Sequence, residues 1–270
     1  MIRGVNAIYV DLIHGLLVHG EEVQTRNSVC KRTFGERVKF DRCPLVSVRK
    51  AAWKNALREM EWVLSGSTNL DSMHPDVHPW WKPWANEYGN IPYGYGDVLR
   101  WWGEDNFDQI GYLLNGIRGH PFSRRNVVTT WDTEKMASPE CPITNCWGTV
   151  IQAFVDTVDR LHLVTYQRSA DVICGLPHNW VQMWAFQTWL ARRAEKQMGT
   201  LTWMGGDVHL YQAHYDLARM IVDRGSLTSP PIPEPPALVY LPSGEDFRAD
   251  DFSLSGPYEP LIQDRAEMVV

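Results

Sequence analysis

Arg168 and Ser169 stand side by side in the run YQRSADVICGLPHN at 166–179, with Asp171 two residues on and Asn179 after a Gly-Leu-Pro turn. A guanidinium beside a hydroxyl is a natural phosphate clamp, because arginine pairs bidentately with phosphate oxygens. An asparagine amide offers an acceptor and two donors on neighbouring atoms, which suits the edge of a pyrimidine ring. Phosphate at one end and base at the other is the layout of a mononucleotide site. There are five cysteines, of which Cys141 and Cys146 are weighed as nucleophiles and Cys30, Cys43 and Cys174 read as structural thiols. Their number is odd and their spacing follows no framework, so reduced thiols of a cytoplasmic protein are expected rather than disulfides.

Strands and helices must carry these groups. The N-terminal run to Glu22 reads as a first helix, without a clear signal-peptide cleavage pattern. Residues 52–64 repeat Trp53, Ala56, Leu57, Met60, Val63 and Leu64 at helical spacing and stop at Gly66. Residues 107–118 and 179–198 read as further helices. NVVTTW at 126–131, VIQAFV at 150–155 and LHLVTYQRS at 161–169 read as strands, apolar or β-branched between polar turns. Residues 71–100, dense in Pro, Gly, Tyr and Trp without a period, read as a long functional loop. Ser229–Pro236 reads as an extended connector. No repeat or linker interrupts the chain, so one α+β domain over residues 1–270 is expected.

Composition removes several functions. Hydrophobic residues at 44% and charged residues at 21% are ordinary for a globular protein. A net charge of -6 argues against a general nucleic-acid binder, although a local arginine cluster can still hold one phosphate. No stretch reaches the roughly 18 uninterrupted apolar residues of a membrane helix. His74 and His78 are separated by Pro75 in a loop, which denies them helical ligand geometry, so no metal is expected. Most of the 13 tryptophans are expected to pack.

The block at 166–179 resembles the thymidylate synthase superfamily, which includes the pyrimidine-nucleotide hydroxymethylases. The family's order is kept by Arg26 in TRN, REMEW at 58–62, WKPWANEYG at 81–89, Ser123-Arg124-Arg125, Cys146 and GGDVHLY at 205–211. The resemblance implies an α+β fold with a bent mixed sheet flanked by helices, packed sheet to sheet against its twin in a homodimer. It implies one-carbon transfer from 5,10-methylenetetrahydrofolate to a pyrimidine nucleotide. Cys146 would be the nucleophile, since its distance from Arg168 fits the family better than that of Cys141. The family's usual Pro-Cys-His is replaced here by Asn145-Cys146-Trp147. By the same resemblance Glu59 would manage protons at the base, Asn179 would bind ring N3 and position 4, and Tyr95 would belong to the wall. His209 and Tyr211 would hold the sugar 3′-hydroxyl. Arg26, Arg168 and Ser169 would hold the phosphate, with Arg124 and Arg125 reaching across from the partner. Trp81 and Trp84 would stack on the folate, and Asp171 would lie near the pterin.

C5 of a pyrimidine is a poor nucleophile until a thiolate adds at C6. A free thiol is mostly protonated at neutral pH, so Arg168 and the other phosphate-binding arginines are expected to supply an ionising field. Once C5 bears an exocyclic methylene, a synthase takes hydride and a hydroxymethylase adds water, which dry walls would exclude. Glu61 in REMEW, the run at 102–125 and the Trp-Gly-Thr-Val after the cysteine resemble bacteriophage deoxycytidylate hydroxymethylase. WKPW, GLPHN and the C-terminal Met-Val-Val look like thymidylate synthase. The deoxycytidylate enzymes carry aspartate at the position of Asn179, which therefore favours uracil, although a flipped amide could meet cytosine. The expectation is a viral deoxyuridylate (dUMP) hydroxymethylase. The alternatives are thymidylate synthase and a deoxycytidylate (dCMP) hydroxymethylase. His178, where the family usually has phenylalanine, has no role legible in the sequence.

Overall fold

A computed structural model describes residues 4–226, 232, 234–264 and 266–269. The chain opens with helix α1 (Val5–His19), then strands β1 (Glu21–Gln24) and β2 (Val29–Phe40). Helix α2 (Trp53–Ser65) leads through short turns to α3 (His78–Trp81), α4 (Tyr95–Arg100) and α5 (Gln109–Gly119). Strand β3 (Val127–Thr129), helix α6 (Thr133–Ala137), strand β4 (Val150–Val155) and strand β5 (Arg160–Asp171) follow. Helix α7 (Leu176–Arg193), strand β6 (Gln197–Tyr211) and helix α8 (Tyr215–Ser226) complete the main layers. The small pair β7 (Leu238–Tyr240) and β8 (Phe252–Leu254) closes one end.

Six strands form one sheet in the order β1-β2-β6-β5-β4-β3. The β5–β6 pair is parallel and the rest antiparallel, which makes the sheet mixed, and its ladder slips register near Leu161 and Leu163. The parallel pair needs a crossover, and α7 supplies it. Strand β4 alternates exposed and buried residues along its whole length, the period-2 signature of a half-covered sheet. Its buried face joins a core that runs from Val5 through Trp180 and Phe186 to Phe252. The opposite face leaves Phe34 (81% exposed), Val150, Phe154 (57%), Val164 and Met204 uncovered.

The periodic segments form as the sequence predicts. Helix α2 buries Ala56, Leu57, Met60 and Val63 on one side and ends at Gly66, whose φ of 82° is left-handed and favours glycine. Several expectations change. The first helix stops at His19 and Glu21 and Glu22 open β1, and the strand expected at 126–131 is confined to Val127–Thr129. Residues 71–100 are not a plain loop: side-chain caps from Asn69 and His74 build single turns, then α3 and α4 form. Local capping replaces periodicity there, which a pattern search does not see. Helix α7 begins at Leu176, earlier than residue 179, because Pro177 fits a helix's first turn. It ends by Arg193, and Glu195 at φ 56° turns the chain into β6. Half of Ser229–Pro236 (229–231 and 233) lies outside the described residues. No helix among them is long and apolar enough to cross a membrane.

Candidate active site

Strand β5, the turn after it and helix α7 deliver the central residues in one continuous stretch. Asp171 Oδ1 accepts from the backbone N–H of Ile173 (2.8 Å) and Cys174 (3.1 Å), folding the turn that launches α7. One helical turn in, Asn179 faces a cavity of about 240 Å³. Its walls include Glu59 from α2, Trp81 from α3, Tyr95 from α4, Cys146, Trp147 and His178, with Arg49 and Met268 at its edges. Four sequence-assigned groups, Cys146, Glu59, Asn179 and Tyr95, therefore meet around one space. Trp81 and Trp84 line it too, with Trp80 and Ile143, giving aromatic and apolar walls suited to a flat pteridine ring.

Cys146 lies before β4 and is tied to β5, because Arg168 N donates to its carbonyl at 2.9 Å. Tyr95 Oη sits 3.2 Å from its Sγ and accepts from Cys146 N at 2.8 Å. The Tyr95 ring stacks on Trp147 at 4.5 Å, which fixes the hydroxyl. Burial raises the thiol's pKa above its usual value, against the lowering effects of Tyr95 and Arg168. The expectation that Arg168 supplies the ionising field is met only in part. Its Nε donates to Asn145 O (2.8 Å) and its Nη2 to Thr144, while the guanidinium lies over Trp131. This arginine grips the loop that carries the thiol, and desolvation exceeds its field. Cys141 instead points at Ile143 O and does not line the cavity.

Glu59 is fully enclosed. Trp81 Nε1 donates to its Oε1 and Gln182 Nε2 to its Oε2, each at 2.6 Å. Burial nevertheless wins, and its pKa rises from 4.5 to about 7. A carboxyl that titrates near neutrality can both take and return a proton during turnover. Asn179 is wired to it: Asn179 Nδ2 donates to Gln182 Oε1 (3.0 Å), and Gln167 Nε2 donates to Asn179 Oδ1 (2.9 Å).

The remaining assigned residues gather near the ends of β5 and β6. Ser169 pairs in register with Asp207, and Asp171 with His209. His209 Nδ1 lies 3.0 Å from Asp207 Oδ1, and its ring meets Tyr211 edge-on at 5.0 Å. Arg26, in the β1–β2 turn, lowers the Tyr211 pKa, while burial lifts it to about 12. Arg124 and Arg125 are exposed before β3 and do not line the cavity. His74 accepts from Asp76 N and His78 faces Met73 O, so both are occupied with backbone. Asp171, Cys174 and His214 cluster within 4.8 Å, but the thiol and the imidazole both face Glu267 O and pin the C-terminal segment.

Gln182, bonded to two wall residues, and Arg49, in the wall itself, have no part in the sequence reading, and His178 has no role there. Gln182 lies one helical turn after Asn179, a spacing that places both on one face. Arg49 is buried and donates to Ile173 O. His178 accepts from Ala52 N (3.1 Å) under Trp80, and burial lowers its pKa from 6.5 to about 4, so it is a neutral acceptor. Glu61 corrects an inference. It accepts from Ala249 N at 2.8 Å, faces Arg248, and does not line the cavity. Its likeness to the hydroxymethylase sequence therefore lies outside the cavity wall.

The thymidylate synthase family pattern matches residues 7–270. The chain is 30% identical over 302 aligned positions to a thymidylate synthase of Rhodopseudomonas palustris (strain BisA53), covering 97% of this chain and 98% of that one. It is also 30% identical over 295 positions to a thymidylate synthase of Zymomonas mobilis subsp. mobilis, covering 94% and 96%. With the thiol, the carboxyl and the amide around one aromatic cavity, the chain belongs to the thymidylate synthase family, enzymes of folate-dependent one-carbon transfer that use methylenetetrahydrofolate as co-substrate and need no metal.

Proposed function

We propose that the chain, as a single domain over residues 1–270, transfers a one-carbon unit to C5 of deoxyuridylate and releases 5-hydroxymethyl-deoxyuridylate. The observation that carries the transfer is Cys146 Sγ beside the Tyr95 hydroxyl at 3.2 Å, in the same cavity as Asn179 and Glu59. Cys146 adds as thiolate to C6, and Tyr95 donates to the sulfur as charge develops. C5 would then bond to the one-carbon unit of bound methylenetetrahydrofolate and lose its proton, and the bond from that carbon to the folate nitrogen would break, so that tetrahydrofolate leaves. Asn179 holds the ring edge while Glu59 exchanges protons near position 4. Water adding to the resulting exocyclic methylene, with departure of Cys146 from C6, gives the hydroxymethyl product. A carboxyl titrating at about 7 in the cavity wall is suited to accept that water's proton. The Trp147 context of the nucleophile supports the same ending.

Trp81 and Trp84 would hold the folate ring, with Asp171 close by. Arg26, Arg168 and Ser169 would bind the phosphate, and His209 with Tyr211 the 3′-hydroxyl. The apolar sheet face at Phe34, Phe154 and Val164 supports a homodimer in which Arg124 and Arg125 complete the partner's phosphate site. A cytoplasmic setting agrees with five unpaired thiols. The methyl ending is the second reading, favoured by the indole wall of Trp80, Trp81 and Trp84 and by the two relatives' names. Incubation with deoxyuridylate and methylenetetrahydrofolate, followed by mass spectrometry, separates them. A hydroxymethyl nucleotide without dihydrofolate is expected; thymidylate with stoichiometric dihydrofolate refutes the hydroxymethyl ending and leaves the thiol chemistry intact.

A further inference from the structure

Three buried amides on β5 and α7 form a hydrogen-bond chain with a single direction. It starts at Trp203 Nε1 on β6, which donates to Gln167 Oε1 on β5 at 2.9 Å. Gln167 Nε2 donates to Asn179 Oδ1, Asn179 Nδ2 to Gln182 Oε1, and Gln182 Nε2 to Glu59 Oε2 and to Ala56 O at 3.0 Å. Each end permits one polarity. An indole N–H can only donate, and a backbone carbonyl can only accept. The end groups therefore set how all three amides point.

We propose that Gln182 is a positioning residue for base selection, which with Gln167 and Trp203 locks the Asn179 amide in the orientation that reads a uracil-type edge. This rests on the nucleotide reading given above. In that orientation Asn179 keeps one Oδ1 lone pair and one Nδ2 hydrogen for a ligand. A uracil edge presents N3–H and a 4-oxo group, which satisfy both. A cytosine edge presents a bare N3 and a 4-amino group, which set acceptor against acceptor and donor against donor. An isolated asparagine would flip to suit it. Here a flip turns Nδ2 toward Gln167 Nε2 and Oδ1 toward Gln182 Oε1. Relieving the first clash sets Gln167 Nε2 against the Trp203 N–H. Relieving the second sets Gln182 Oε1 against the Ala56 carbonyl. Trp203, Gln167 and Gln182 are all buried, so water does not repair these contacts. Specificity thus extends beyond Asn179 to two glutamines and an indole.

The test is binding of deoxyuridylate and of deoxycytidylate, each by calorimetry, to wild type, Gln182→Met and Trp203→Phe. Gln182→Met keeps a side chain of similar length and removes the accepting end of the lock; Trp203→Phe frees its donating end. The ratio of the two affinities should fall by about tenfold or more in Gln182→Met, because a correct two-bond base contact discriminates by roughly 1–3 kcal/mol. It should fall less in Trp203→Phe, which acts one amide further away. A protein made merely looser would lose affinity for both nucleotides with the ratio unchanged. That outcome in folded variants overturns the lock, and Trp203→Phe decides alone if Gln182→Met does not fold. A wild-type chain that binds neither nucleotide overturns the functional reading itself.

Discussion

Two buried groups at the cavity wall titrate in opposite senses, and their removal one at a time should expose slopes that wild type conceals. Glu59 has its pKa raised from 4.5 to about 7, chiefly by desolvation. The fold binds its proton more tightly than the unfolded chain does. Its stabilising contribution is complete below pH 4.5 and is lost as pH rises through 7. His178 has its pKa lowered from 6.5 to about 4, by desolvation first and the Arg49 charge second. Its contribution is complete above pH 6.5 and is lost as pH falls through 4. At about 1.4 kcal/mol per pH unit, each displacement corresponds to at most about 3 kcal/mol. Between pH 4.5 and 6.5 the two nearly cancel. Urea unfolding of wild type at fixed protomer concentration should therefore be almost flat across that interval. Glu59→Gln should leave the His178 slope, with stability falling by up to about 3 kcal/mol from pH 6.5 to 4.5. His178→Phe should leave the opposite slope, with stability falling by up to about 3 kcal/mol from pH 4.5 to 7. Each substitution also disturbs a hydrogen bond, since an amide at 59 sets N–H against Trp81 or Gln182, but that cost is independent of pH. The depressed carboxylates Asp156, Asp207, Glu245 and Asp250 lose their contributions at lower pH, as it falls through their folded values. Parallel profiles for wild type and both variants would refute the assignment of these titrations.

Tyr95→Phe strands the Cys146 amide, at about 1–3 kcal/mol, and removes the donor beside Sγ. Alkylation of Cys146 by iodoacetamide should shift to higher pH, and an unchanged profile would remove Tyr95 from thiolate stabilisation. Phe154→Asp places a charge on the exposed apolar sheet face and should convert a sedimenting dimer to monomer; a variant that remains dimeric places the interface elsewhere. Gly66→Ala forces a side chain into φ 82° with its Cβ 2.7 Å from Trp101 Nε1. It should cost about 1–2 kcal/mol or more in urea unfolding, and no loss would mean the helix end relaxes freely.

Much of this was legible because the informative residues are local in sequence. Strand β4 matches VIQAFV residue for residue, and α2 ends on the expected glycine. Cys146, Glu59, Asn179 and Tyr95 converge as the motif order implied. The amide chain was not legible as a whole, because Trp203, Gln167 and Asn179 are brought together by β6, β5 and α7, and only packing joins them. Two clues were nonetheless present. Gln182 follows Asn179 by one helical turn. Glu61 follows Glu59 by two residues, and residues two apart on a helix do not share a face. REMEW accordingly places Glu59 in the cavity and turns Glu61 toward Ala249 and Arg248.

The electrostatics of the cavity bear on what the proposed homodimer would contribute. Glu59 is half-protonated near neutrality and burial favours the neutral thiol of Cys146, so Arg49, held on Ile173 O, carries the principal charge among the residues lining the cavity. Adding a nucleotide phosphate makes ionisation of the thiol harder still. Arg168 cannot move closer, because the carbonyls of Thr144 and Asn145 hold its guanidinium. In the proposed homodimer, Arg124 and Arg125 of the second subunit would bring positive charge together with the phosphate they bind. Thiolate formation then becomes coupled to assembly and to substrate arrival. A lone subunit would hold every catalytic side chain in place and still keep its nucleophile protonated.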